Sequence, residues 1–256
     1  MTPSLIQFLI LCPLTLAAGY VDAVAGGGGL ISLPAYLLIG LPPHSAIASN
    51  KPSSSFGTVF ATLRYGREGY IKMKLALVCV PMALLGSWCG ARLSLLLPED
   101  VFQLLLIAIL PVAAWSVLRK KQTAAEGHPL EDLPWPPTAL RCALIALVLG
   151  AYDGFYGPGT GTFLMLLLNS VARLELGICA GTTKIINLTS NLAALFTFMA
   201  GGHVVFSLGI AGALFSAVGN WLGAASFSHK GAKLLRPMIA LVLSLLFAKT
   251  LWELVA

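Results

Sequence analysis

Long apolar stretches recur along almost the whole chain and are separated by short polar or glycine-rich segments. A helix of roughly 20 apolar residues is needed to cross the ~30 Å hydrocarbon core of a bilayer. The pattern therefore predicts an all-α polytopic membrane protein. Helical segments are predicted at 5–21, 30–41, 44–63, 75–97, 101–118, 140–152, 162–168, 176–200, 204–227 and 234–255.

Two of these segments, 30–41 and 162–168, are too short to cross a bilayer and follow glycine-rich breaks. Residues 26–29 are four consecutive glycines, and residues 157–161 read Gly-Pro-Gly-Thr-Gly. Glycine runs do not hold a helix in place. Each break and its flanking segments therefore predict a broken or re-entrant element made of half-helices. Counting each such element once gives about eight helical segments.

The chain contains an internal duplication. Asp22 recurs as Asp153 at a spacing of 131 residues, and Lys51 recurs as Lys184 at a spacing of 133. The motif Gly-Ser-Trp-Cys-Gly-Ala at 86–91 matches Gly-Asn-Trp-Leu-Gly-Ala at the second spacing. The predicted organisation is a first repeat at 1–118, a cytoplasmic linker at 119–137 and a second repeat at 138–256, all within one integral membrane domain.

The basic residues predict how the repeats are oriented. Cytoplasmic loops are enriched in Lys and Arg, and the basic loops are 64–74, 119–121 and 230–236. Corresponding loops of the two repeats differ in basic content, which favours an inverted repeat. That arrangement requires each broken element to enter and leave on one side of the membrane. If the broken elements cross fully, the repeats are parallel and loop 230–236 violates the charge rule.

Composition agrees with a membrane protein and excludes other classes. Hydrophobic residues make up 57% of the chain and charged residues only 10%, against about 25% charged residues in soluble domains. The net charge of +6 is spread over short loops, which is not the basic stripe of a nucleic-acid-binding protein. The five cysteines lie in apolar segments without metal-ligand spacing, so no cofactor or metal is predicted. The first apolar segment is interpreted as structural and not as a signal peptide, because it lacks a basic start.

Charged residues inside membrane segments are costly and usually mark functional sites. Secondary transporters hold substrates at broken helices, whose N-terminal N–H groups bind anions. Two lysines, two such breaks and several hydroxyl and amide groups predict a site for a small oxyanion. The predicted substrate-binding residues are Lys51, Lys184, Gly27, Gly28, Gly29, Asn50, Ser54, Gly159, Thr160, Gly161, Thr183 and Asn187. Asp22 and Asp153 are either proton-coupling groups or structural ion-pair partners of the lysines.

Other interpretations of these residues remain open. The glycines could serve only for close helix packing, and the lysines could extend their side chains to a membrane interface. An uncoupled, channel-like anion pathway is the alternative to a coupled carrier. An enzyme is not predicted, because a lysine and a carboxylate without a nucleophile or metal define no reaction.

Four motifs resemble the TauE/SafE sulfite-exporter family. They are Gly19-Tyr-Val-Asp22-Ala-Val-Ala-Gly26 with Gly27 to Pro34, Ser49 to Gly57, Asp153 to Gly161, and Thr183 to Asn187. The resemblance covers essentially the whole chain. It implies a multi-pass protein of the bacterial inner membrane that transports, commonly outward, sulfite or a small sulfonate. The nearest branch is the one called probable membrane transporter protein. Pro52 departs from the larger residue expected after Asn50-Lys51. The expected partners are the small anion and the lipid bilayer, and a homodimer is left open.

Overall fold

The computed structural model describes residues 3–119 and 127–225, and within these ranges the chain is all-helical without β-strands. The first half contains α1 Leu5–Ala25, α2 Gly29–Leu38, α3 Pro43–Arg67, α4 Met73–Leu96 and α5 Glu99–Arg119. The second half contains a 3-10 turn at Leu130–Asp132, then α6 Trp135–Phe155, α7 Thr160–Ser170, α8 Leu176–Ala200 and α9 Phe206–Ala225. The predicted segment 234–255 and the basic loop 230–236 lie outside the described residues.

The predicted helices are found close to their expected positions, with one correction. The segments before the glycine breaks are not half-helices: α1 and α6 have 21 residues each, which corresponds to about 31 Å. Only α2 and α7, with 10 and 11 residues, are short. In the described ranges, α1, α4, α6 and α9 are long and apolar enough to cross a membrane.

Helices of one half pack against helices of the other through glycines. Gly86 and Gly90 of α4 lie directly on the backbone of α6, facing the carbonyl oxygens of Leu147 and Ala151. The matching glycines of α9, at positions 219 and 223, face the carbonyl oxygens of residues 16 and 20 in α1. A side chain at any of these glycines would overlap the facing backbone, so small residues allow the close approach that membrane helices use for packing.

Apolar side chains cover the outside of the bundle, whereas many buried positions are polar. Large exposed side chains such as Leu77, Leu104 and Phe196 form a surface suited to lipid. α3 and α8 carry buried polar groups along their length, including Ser49, Thr58 and Ser190. These two helices contact each other in the interior, so the polar residues of both halves meet at the centre of the protein.

Part of the predicted linker packs onto the bundle. Within 127–134, the His128 amide donates to the Arg173 carbonyl at 2.9 Å, and the Glu175 amide donates to the His128 carbonyl at 3.1 Å. Lys72 pairs with Glu131 at 3.5 Å. Linker residues 120–126 lie outside the described residues.

Candidate functional site

The two glycine breaks meet face to face in the interior. Gly26 has a φ of +70°, and a Cβ built on it would lie 2.6 Å from the carbonyl carbon of Gly161. A Cβ built on Gly161 would in turn lie 2.6 Å from the carbonyl oxygen of Gly26. Gly29 faces Pro158 in the same way, at 3.0 Å from its Cα. These positions require glycine, because the two backbones approach too closely for any side chain.

The breaks bring two helix N-termini to this point. α2 begins at Gly29 and α7 begins at Thr160, whose hydroxyl donates to the Gly157 carbonyl at 2.6 Å. The first N–H groups of a helix have no partner within the helix and carry partial positive charge. The centre of the protein is therefore favourable for a negative charge.

Each lysine forms an ion pair with the aspartate of the opposite half. Lys51 Nζ donates to the Asp153 carbonyl at 2.7 Å and to Asp153 Oδ2 at 3.1 Å. Lys184 Nζ donates to the Asp22 carbonyl at 2.6 Å and to Asp22 Oδ2 at 2.9 Å. Each lysine is the ninth residue of a 25-residue helix, about 12 Å from the helix start. Both ammonium groups are thus buried in the bundle and paired.

The two ion pairs differ in their surroundings. Lys51 also donates to Asn191 Oδ1 at 3.1 Å. The position that corresponds to Asn191 in the first half is Thr58, at the spacing of 133 residues. The side chain of Asp22 is 19% exposed, against 5% for Asp153. The pair of Asp22 is therefore the more accessible to water.

A cavity of about 30 Å³, counted as space open to the centre of a water-sized sphere, lies between the breaks and the ion pairs. A volume of this size holds about two water molecules. Its lining residues are Asp22, Gly26, Gly29, Asn50, Lys51, Ser54, Thr58, Asp153, Gly157, Gly159, Thr160, Gly161, Asn187 and Asn191. We call this space the central cavity.

Most of the residues selected from the sequence line the central cavity, but four do not. Lys184 reaches only the edge of the site, through its ion pair with Asp22, and Gly28 lines a neighbouring cavity. Gly27 and Thr183 are also absent from the lining of the central cavity.

Four lining residues were not selected: Gly26, Gly157, Thr58 and Asn191. Thr58 and Asn191 could have been found from helical spacing. Lys51, Ser54 and Thr58 occupy positions i, i+3 and i+7 of α3, and the corresponding positions of α8 are 184, 187 and 191.

Within the described part of the chain, several buried polar atoms of α3 and α8 have no hydrogen-bond partner. They include Asn50 Oδ1 on α3, and Thr182 Oγ1, Thr183 Oγ1 and Asn187 Oδ1 on α8. An unpaired buried polar atom costs about 1–3 kcal/mol. Asn50 and Asn187 line the central cavity, so their unpaired oxygens indicate a position for water or a polar ligand there. Within the described ranges, no three His, Cys, Asp or Glu residues are grouped as a metal site.

Together these features define a multi-pass α-helical membrane protein with a charged, polar centre. A family model described as sulfite exporter TauE/SafE matches residues 11–250. The chain therefore belongs to the TauE/SafE sulfite exporter family.

Proteins from several bacteria resemble the chain over most of its length. A Sinorhizobium protein named probable membrane transporter protein ORF9 is 33% identical over 226 residues, covering 88% of this chain and 85% of that protein. The probable membrane transporter protein YfcA of Escherichia coli K12 is 31% identical over 238 residues, with 92% and 86% covered. The Bacillus subtilis protein YdhB, with a similar name, is 24% identical over 216 residues, with 84% and 87% covered. No solved structure gives a significant match. The family and the relatives support a membrane transporter of the TauE/SafE type with a small substrate.

Proposed function

We propose that this protein is a secondary transporter that exports a small sulfur-containing anion, such as sulfite or a sulfonate, across the bacterial inner membrane. The observation that carries the proposal is the central cavity, where the Lys51 ammonium and the N-termini of α2 and α7 converge. All three favour negative charge. The family description and the names of the relatives support transport and not catalysis.

The cavity volume favours a small inorganic oxyanion over a long organic one. Space for about two water molecules accommodates an ion of the size of sulfite. A sulfonate with a carbon chain requires the cavity to widen. The Thr160 hydroxyl and the amides of Asn50 and Asn187 line the same space and can donate hydrogen bonds to anion oxygens.

Charge balance supports coupling to a cation. Lys51, Lys184, Asp22 and Asp153 sum to zero net charge, so a monoanion alone leaves one uncompensated negative charge in the interior. Uncompensated charge is costly at this depth. A proton on Asp22 or Asp153 would restore neutrality and release a lysine for the anion, which makes both carboxylates the candidates for proton coupling.

Transport in proteoliposomes tests the proposal. Sulfite loaded inside should leave wild-type vesicles faster than empty liposomes, and a pH gradient should change the rate. Lys51→Ala and Lys184→Ala should abolish the flux, whereas Lys72→Ala, which removes an exposed lysine paired with Glu131, should preserve it. Normal flux in both buried-lysine variants would refute the assignment. A current that follows the anion gradient and ignores pH would instead indicate the channel-like pathway.

A further inference from the structure

A second cavity adjoins the central one, and anion binding does not explain the side chains that line it. It has a volume of about 20 Å³, lies between α1, α2, α3 and α9, and shares Asp22, Gly29 and Ser54 with the central cavity. Its oxygen-bearing side chains are Asp22, Ser32, Ser53, Ser54, Ser216 and Asn220. Among the described residues, no lysine or arginine belongs to this lining, in contrast to the central cavity with Lys51.

Asn220 has an unused acceptor at this cavity. The residue is 1% exposed, and its Nδ2 donates to the carbonyl of Ser216 at 3.1 Å. Oδ1 of Asn220 has no hydrogen-bond partner in the described part of the chain. A buried amide oxygen left in this way is unfavourable unless a ligand or water occupies the adjacent space.

The second half of the chain provides an internal comparison. At the spacing of 131 residues, Ser32 corresponds to Phe163, and at 133 residues Ser53 corresponds to Ile186. By the latter spacing Ser216 and Asn220 of α9 correspond to Ala83 and Ser87 of α4. α4 packs on α6 as α9 packs on α1, through the matching glycines described above. Helix packing is therefore compatible with apolar residues at three of these four positions and with a shorter polar side chain at the fourth, so the polar set of the first half needs another explanation.

We propose that this second cavity binds a sodium ion. Carboxylate, amide and hydroxyl oxygens are ligands for hard cations, and the cavity combines all three. Among the described residues, the carboxylate of this lining is Asp22, whose Oδ2 pairs with Lys184. Oδ1 of Asp22 remains as a ligand. Because Lys184 already compensates part of its charge, the site has too little negative charge for a divalent ion. Asp22 also lies in the last turn of α1, whose helix dipole favours a cation and acts against the opposite dipole of α2, which begins at Gly29 in the same lining.

The proposed sodium site deepens the proposed transport function and rests on it for its role. A cation beside Asp22 would supply the positive charge that a bound anion requires, at the boundary between the two cavities. The charged and titratable groups around Asp22 are Lys184 of α8, Lys51 and Tyr65 of α3 and Asp153 of α6. α2 and α9 contribute hydroxyl and amide groups to the cavity.

Binding of radioactive sodium to the purified, full-length protein tests the site without any anion or transport step. Choline replaces sodium at constant ionic strength. The wild type should bind sodium saturably, with potassium competing poorly. Asn220→Ser and Ser216→Ala copy the residues of the second half, so they should fold, and Asn220→Ser should weaken sodium binding about tenfold or more. Ser87→Ala, the matched control in α4, should bind sodium like the wild type.

Two outcomes would overturn the sodium site: no saturable sodium binding by a monodisperse wild-type protein, or wild-type affinity in both Asn220→Ser and Ser216→Ala. Neither outcome bears on sulfite flux, so the transport proposal is tested separately by the proteoliposome assay. Conversely, sodium binding with no sulfite flux would retain the site and refute the proposed anion.

Discussion

The ion pair of Lys51 and Asp153 allows a quantitative test of how charge is held inside this protein. The side chains are 3% and 5% exposed, with Nζ 3.1 Å from Oδ2. Removal of one partner of a buried pair costs about 3–5 kcal/mol, because the other charge stays buried and uncompensated. Replacement of both partners by neutral groups of similar size is often nearly neutral.

Lys51→Met should therefore be strongly destabilised, whereas the double variant Lys51→Met/Asp153→Asn should recover most of the loss. For a chain of this size, 3–5 kcal/mol corresponds to a decrease of roughly 6–20 °C in the unfolding midpoint. Lys184→Met should lose less stability than Lys51→Met, because its partner Asp22 is 19% exposed and water can solvate the remaining carboxylate.

Thermal unfolding of the detergent-purified variants measures these differences, and proteoliposome flux separates stability from function. The double variant should be folded and inactive, since it lacks the ammonium of the central cavity. If Lys51→Met were as stable as the double variant, the two charges would not be coupled and the reasoning would fail. Transport by the folded double variant would equally refute the role of Lys51.

Three further predictions concern the breaks, the topology and the cavity. Gly26→Ala and Gly161→Ala should each lower the free energy of unfolding by about 1–3 kcal/mol, because the facing backbones leave no room for a Cβ. Thermal unfolding measures this loss, and unchanged unfolding midpoints would contradict the close contact of the two backbones. Single cysteines at Arg67 and Ala200, exposed positions related by the spacing of 133 residues, should react with a membrane-impermeant maleimide from opposite sides if the repeats are inverted; labelling from one side would indicate parallel repeats. Asn191→Ala removes an acceptor of Lys51 and should weaken sulfite affinity about tenfold, measured as the KM of flux, with wild-type KM as the contrary result.

The helix boundaries show which parts of the fold the sequence pattern determines. α3 begins at Pro43, one residue before the predicted start at 44, and α8 spans 176–200 as predicted. α1 continues past the predicted apolar segment 5–21 to Ala25 and ends where the four glycines begin. Within this last turn Asp22 pairs with Lys184, and this contact comes from a residue distant in sequence.

α6 shows a helix whose start differs from the predicted one. The prolines at 136 and 137 were assigned to the linker, yet α6 begins at Trp135 and holds both in its first turn. Proline is well tolerated there, since the N–H groups of the first turn have no partner within the helix. Local composition therefore identified the helix but misplaced its start.

The chemistry of the site was visible in the sequence, but its pairing was not. Duplication identified the lysines and aspartates as matching groups, and an ion pair between them was one of two interpretations. Which lysine meets which aspartate depends on contacts between the two halves, which bring Lys51 of α3 to Asp153 of α6 and Lys184 of α8 to Asp22 of α1. No local pattern encodes that exchange, because the same residue types occur in both halves and a pairing within each half is equally compatible with their spacing.

The pairing of each lysine with the aspartate of the other half has a mechanical consequence. Lys51 belongs to the first half and Asp153 to the second, and the reverse holds for Lys184 and Asp22. A movement of one half relative to the other therefore changes both ion-pair distances at once. The facing glycines at 26 and 161 lie between the same two halves, so the pairs and the wall of the central cavity must change together. In a transporter, such linkage makes the occupancy of the central cavity dependent on the relative position of the halves, which is the condition for access from one side at a time.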